Sequence, residues 1–473
     1  MAVRTVSNTG GNWNATATWV GGVVPITGDT VDFTATSGNL TVNIASTCAG
    51  INFTNYINTI TFTAVLTIQG PINLGTGGYT QAGASGITVN SNVGGTGFTS
   101  NGVIWSRLFT FSGGGVSATY TLNDDWNFTG TLSFTNSNTC TINGFNIYTI
   151  GLNSTSNQPT TGTTNIIFNG TGTWSHSSTG AIQNNVTINT IGTLTIGANI
   201  YYNTGTLTYT AGTVDTTGST LNIALATTFN TSGMTWNNIT ITAGIHTLTS
   251  DLNCQNLTAS ASITINGLFN VNVSGNITAN GVVQGTSTIV LIGTGLWTAT
   301  NGSNTFRTPI IINTNGIITL ANTLDCGGNL TYTKGIVKSN NTTITFYTST
   351  LINLHKIVFK NVIINASATI TMNEYFSGSP SLVTNISSST TANYNIAFQD
   401  NFEKISKFVN INNCTLSNPQ QLLVITNSPR SSTNTRGIRY INQSPNGIAK
   451  GDATILNTMT ASAGGYVKDP NMK

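Results

Sequence analysis

The sequence predicts an all-β chain wound as a parallel β-helix, and three observations predict it. First, the polar content is Thr, Asn, Ser and Gly rather than charge: only 6% of the 473 residues are Asp, Glu, Lys or Arg, against roughly a quarter in an ordinary soluble domain. Second, a short phrase recurs six times. Its apolar anchors are Ile68, Leu122, Ile196, Leu248, Leu320 and Met372, separated by 54, 74, 52, 72 and 52 residues. Third, each anchor follows a Thr (Thr67, Thr121, Thr195, Thr247, Thr319, Thr371) and is followed four residues later by a large apolar side chain (Ile72, Trp126, Ile200, Leu252, Leu324, Phe376).

Composition supports many short strands joined by tight corners. Thr suits a pleated surface through its branched Cβ, whereas Asn and the 51 glycines suit turns and positive φ. Disorder is excluded because 38% of residues are hydrophobic and they recur in alternation, enough to close a core. A chain of this length exceeds one ordinary core, which points to several domains or an elongated array.

Residues 1–34 read as an N-terminal capping segment. Asn12-Trp13-Asn14 leads through Trp19, Gly21-Gly22 and Pro25 to Gly28-Asp29 and the strand Thr30-Val31-Asp32-Phe33. A stacked array must cover the edge of its first coil, which would otherwise recruit other chains. The phrase W-x5-W-x-G-G-x-x-P-x-x-G-D-x-V-x-F resembles the opening of parallel β-helix domains in bacterial adhesins, autotransporter-like passengers and environmental phage structural proteins. That resemblance spans about thirty residues, implies the fold and carries no catalytic residue.

Residues 35–400 read as the repeat domain, with phrases such as Leu40-Thr41-Val42-Asn43-Ile44 and Thr59-Ile60-Thr61-Phe62 between Gly, Asn or Ser corners. A larger duplication overlies them: Gly205-Thr206-Leu207-Thr208-Tyr209-Thr210-Ala211-Gly212 returns as Gly328-Asn329-Leu330-Thr331-Tyr332-Thr333-Lys334-Gly335, and Trp174 and Trp297 share the offset of 123. If the intervals near 52 and 73 are two and three coils, a coil averages about 25 residues. Twelve coils then separate Ile68 from Met372, a ladder of about 58 Å at about 4.8 Å per coil. A right-handed winding is expected, with the anchors as one core stack and their Thr as a surface ladder. Residues 401–473 read as a C-terminal cap and basic tail. Residues 1–333 carry three basic residues against seven acidic ones, whereas residues 334–473 carry twelve against five.

Candidates for chemistry are few. Among the carboxylates, Asp29 and Asp32 could share a face, as a glycosidase pair requires, but they sit in the cap phrase, where Asp bonds turn amides. Asp124 and Asp125 are adjacent and should diverge, and Asp251 and Asp325 stand out of register with each other. His246 occupies a position that is apolar in the other copies and reads as a tolerated core ring. Cys48, Cys140, Cys254, Cys326 and Cys414 are widely spaced and form no C-x-x-C pair, so no disulfide framework is implied, and Cys254 and Cys326, each six residues after an anchor, read as small core hydrophobes. No zinc or calcium spacing occurs, and the Gly-Thr-Gly phrases lack the following helix that a phosphate cradle needs. No cofactor is expected, no catalytic residue is assigned, and no binding residue is singled out.

The absence of a signal-like opening and of any long apolar run predicts neither ordinary export nor a membrane span. No aromatic residues interleave with the cations as a nucleic-acid track requires. Together with the resemblance, these features lead to the expectation of a non-enzymatic virion structural protein at the virion surface: a bacteriophage fibre, spike or capsid-surface appendage acting in host attachment. Its expected partners are other virion proteins, cell-surface glycans and further copies of itself, a trimer by family resemblance. The alternatives are a bacterial surface adhesin or filament subunit lacking its leader, and a polysaccharide-degrading tailspike.

Overall fold

The computed structural model is a parallel β-solenoid with almost no helix, in which rungs follow one another about 20 residues apart. It describes residues 2–353 apart from 91–95, 113–116, 136–137, 157–158, 301–304, 322, 340–341 and 348–349. It also describes residues 361–365 and the backbone of strands between 369 and 448. The chain divides into two compact units, Met1–Leu257 with Ile263–Asn270 and Thr258–Ser262 with Val271–Lys473.

In the first unit every rung places alternate apolar residues inward, because side chains along a strand point to opposite faces. Parallel pairing then stacks like on like. One column runs Leu66, Ile87, Phe109, Leu132, Leu152, Trp174 and Ile196. A second runs Trp126, Ile147, Ile166, Val186, Leu207, Phe229 and Leu248. All fourteen side chains are buried, and at about 1.5–3 kcal/mol each they outweigh the outward hydrogen bonds, worth about 0.5–1.5 kcal/mol apiece. Aromatic stacking adds order near the start, where Phe33 lies 4.4 Å from Phe53 and Phe53 lies 4.6 Å from Tyr79, ring to ring.

The first rung is closed by its own sequence. Val3–Thr5 pairs in parallel with Thr30–Phe33. On the other edge of the first strand, Val20 N donates to the Thr5 carbonyl and Ser7 N to the Thr18 carbonyl, with an antiparallel bridge from Val6 to Trp19. Residues 18–20 therefore take up the hydrogen bonds that the first strand offers away from the stack. Trp13 and Trp19 hold this flap: both are buried, their rings meet edge to face at 5.0 Å, and Trp19 Nε1 donates to the Trp13 carbonyl at 2.8 Å.

Two sequence expectations need correction. The rung holds about 20 residues rather than 25, as in Thr30 on Gly50 and Ile147 on Ile166. The recurring phrase consequently does not form one stack. Intervals of 52–54 and 72–74 residues are not whole numbers of rungs of about 20 residues, so successive copies fall on different columns. Ile68 lies under Val89, Leu122 over Phe98, Ile196 over Trp174 and Leu248 over Phe229. In the second unit Leu320 pairs with Trp297 and Met372 with Ile352. The five anchors from Ile68 to Leu320 are nonetheless buried, and none of the Thr residues before them is. Thr67 stands between Thr47 and Thr88 in a hydroxyl column that continues through Thr110 and Ser133.

The 123-residue duplication is a structural duplication. In the first unit Val186–Ile196 pairs with Thr206–Asp215, and in the second Ile310–Leu320 pairs with Leu330–Lys338; register shifts fall at matching places in both pairs. Thr190 Oγ1 donates to the Gly170 carbonyl and Thr314 Oγ1 to the Gly293 carbonyl, each at 2.7 Å. Tyr209 and Tyr332 each donate a phenolic hydrogen to the carbonyl of Gly212 and Gly335, again at 2.7 Å. These two glycines have φ of +106° and +119°, and an added Cβ would stand 2.2 Å and 2.4 Å from the Thr190 and Thr314 methyls. Both left-handed strain and overpacking oppose a side chain here, so Gly212→Ala and Gly335→Ala should each destabilise by roughly 2–5 kcal/mol. Urea unfolding would measure this. Gly28→Ala, whose methyl meets nothing within 4 Å, should be nearly silent, and equal midpoints for the three variants would refute the account.

Candidate functional site

The charged side chains of the described residues are largely committed to the scaffold. Asp29 is buried and accepts from Arg4 Nε at 2.9 Å, from Ala2 N at 2.9 Å and from Ile26 N at 3.4 Å. The Arg4 hydrogen bond and then the Ala2 amide hold its carboxyl down at about 2. Asp32 accepts from Asn52 Nδ2 on the next rung at 2.7 Å. The adjacent pair diverges as expected: Asp124 caps Ser100 N and Asn101 N one rung back, and Asp125 caps Asn146 N one rung on. Asp251 accepts from Asn270 N at 2.9 Å and Asp215 from Thr217 N in its own turn. Asp325 is buried beside Thr345, and burial pushes its carboxyl up. Arg107 donates to the carbonyls of Gln81 and Gly83. In a stack with few charges, these bonds hold loop amides in register across rungs.

Among the described residues His246 and four cysteines belong to the interior, and His176 is half-buried. His246 is wholly buried, its Nε2 2.9 Å from the Ala243 carbonyl, and burial lowers its pKa. His176 accepts from Trp174 Nε1 at 3.2 Å, and burial lowers it to about 4. Cys48, Cys140, Cys254 and Cys326 are buried and free. Burial raises the Cys48 and Cys254 thiols to about 12 and the Cys326 thiol further still, which removes the thiolate that reactivity requires. Cys414, His355 and the basic tail lie outside the residues whose side chains are described. Among the described residues no three His, Cys, Asp or Glu side chains gather as a metal site would require, and no helix is long and apolar enough to cross a membrane.

A surface concavity lies on the first unit, a groove of about 450 Å³ lined by residues 129–131, 150–153, 172, 173 and 175. Its shape comes from glycine. Leu132, Leu152 and Trp174 stack in register, so the residues before them, Thr131, Gly151 and Thr173, form the adjoining column. Gly151 leaves a notch between two threonines that stand two rungs apart, about 10 Å. Gly130 and Gly172 likewise flank Ile150. A Cβ would come within 2.8 Å of the Thr173 carbonyl at Gly151 and within 1.9 Å of the Ile150 carbonyl at Gly172, so backbone proximity keeps the notches empty.

Across the groove Ser175 Oγ donates to Asn153 Oδ1 at 3.2 Å, which turns the Asn153 amide so that its Nδ2 is left to donate elsewhere. No charged side chain lines the groove. The sequence contains its signal, glycines at 130, 151 and 172 spaced by one rung, but these glycines read only as corners. What the arrangement can do chemically is present hydroxyl and amide groups around a small apolar surface.

Comparison of the chain with protein-family models, with curated proteins and with solved structures gave no match.

Burial of two neutral imidazoles sets a pH dependence. Their folded pKa lies below the ordinary value of 6.5, so the unfolded chain binds the proton first as pH falls. Stability is full above about pH 6.5 and declines toward pH 4, by an amount on the order of 1–3 kcal/mol for His176. An NMR titration should place the His176 ring near pH 4; a midpoint near 6.5 would show the ring to be solvated. The same packing predicts that Cys48, Cys140, Cys254 and Cys326 escape alkylation in the native protein and react on unfolding, as peptide mapping would record.

Proposed function

We propose that this chain is a non-enzymatic structural attachment protein of a virus particle, a bacteriophage fibre, spike or capsid-surface appendage that acts at the host surface. The observation that carries the reading is how the polar groups are distributed. Carboxylates and guanidiniums tie one rung to the next, whereas outward columns such as Thr47, Thr67 and Thr88 present uncharged hydroxyls. Such a scaffold supports contact with a surface more readily than turnover of a substrate. General acid–base work needs carboxylates free to exchange protons across a cleft, and those of the described residues are bonded to amides, hydroxyls and Arg4. The tailspike alternative is therefore the weaker one.

A second reading, a bacterial surface adhesin or filament subunit, is favoured by one observation. The tryptophan flap over the first rung carries the phrase that resembles adhesin passengers, and a cap of that kind suits either setting. Other virion proteins and further copies of the chain are proposed as partners.

An antibody against the chain, applied to purified virions and viewed by immunogold electron microscopy, separates the readings. Label at a fixed place on the particle is expected. Bare particles with label on the bacterial surface would sink the virion assignment in favour of the adhesin.

A further inference from the structure

The groove of the first unit gathers in one concavity polar groups that the scaffold leaves unspent. Some hydroxyls close the scaffold: Thr63 and Thr242 donate to carbonyls of the preceding rung, Thr190 latches a corner, and Thr141 bonds Thr161 at 3.0 Å; others, such as those of Thr47, Thr67 and Thr88, stand singly along a strand face. In the groove the hydroxyls of Thr129, Thr131 and Thr173 and the Nδ2 of Asn153 make no hydrogen bond among the described residues. Four unspent polar groups thus gather around a notch that three glycines keep open, with the half-buried Ile150 beside it.

We propose that this groove is a binding site for a neutral glycan, seating one or two hexose units of an extended chain. The match is chemical. A pyranose offers hydroxyls around its rim and C–H groups on its face; Thr131 and Thr173 stand two rungs apart on one face, about 10 Å, to meet the former, and Ile150 supplies apolar contact for the latter. Asn153 Nδ2 donates to a ring hydroxyl because its Oδ1 already accepts from Ser175. With no charged side chain lining the groove, anionic sugars gain no ion pair there, and with no acid or base in it the bound sugar is held and not cleaved. The inference deepens the attachment reading and rests on it for its biological setting, but the binding itself is a property of the isolated chain.

The test is titration of the purified full chain with neutral gluco-, galacto- and manno-oligosaccharides of two to four units, alongside an oligogalacturonate, by saturation-transfer NMR and calorimetry. At least one neutral series should bind and the oligogalacturonate should not. Thr131→Val and Thr173→Val keep the branched shape of exposed strand residues while deleting the hydroxyls, and combined they should weaken binding at least tenfold with unchanged circular dichroism. Asn153→Ala should weaken it independently. The proposal is overturned if no neutral series binds, if the oligogalacturonate binds equally well, or if the valine pair leaves affinity unchanged. Sugar binding that depends on these residues in a chain missing from virions would overturn the virion assignment alone; a labelled virion whose chain binds no neutral sugar would overturn only the glycan site.

Discussion

Parallel in-register stacking is the constraint on which everything else depends. Once a rung of about 20 residues must lie directly over the last, each position along it is committed to a column. Inward positions are mostly apolar, as in the column from Leu66 to Ile196. An outward position must tolerate its like about 4.8 Å away. Charges of one sign do not tolerate that, whereas Thr, Ser and Asn do, because each can both donate and accept. The low charge content is thus a consequence of the architecture, and so is the placing of carboxylates such as Asp124 and Asp125 at corners, where they cap amides of the rungs on either side.

The same constraint explains how a surface site can arise with few specialised residues. Where Gly151 falls between Thr131 and Thr173, one missing side chain in a column opens a notch whose walls are set by the rung spacing. Rigidity comes at no extra cost in ordering, since Thr173 stands on a strand and Thr131 immediately precedes one, both held by a buried core. The hydroxyls of Thr131 and Thr173 in the notch are not consumed by the scaffold.

The 123-residue duplication bears on how such a chain is built. Tyr209 with Gly212 and Tyr332 with Gly335 repeat one corner down to the length of a hydrogen bond. Local sequence therefore dictates this corner: a glycine at positive φ facing a buried threonine is the feature that both copies share, despite Ala211 being replaced by Lys334 on the exposed side.

Much was determined by the sequence alone. Alternation of apolar and small polar residues, with glycine and asparagine at the corners, determined an all-β parallel solenoid, because this follows from local side-chain size and polarity. The burial of His246 and the divergence of Asp124 and Asp125 were legible for the same reason. Only the tertiary structure decided the rung length and the columns. A phrase that recurs after a non-integral number of rungs looks periodic in sequence yet lands in different columns, so six equivalent anchors do not make one stack. The groove was likewise invisible until registers were assigned: it depends on which residues stand above and below Gly151, and contacts between residues some twenty positions apart exist only once the chain has wound.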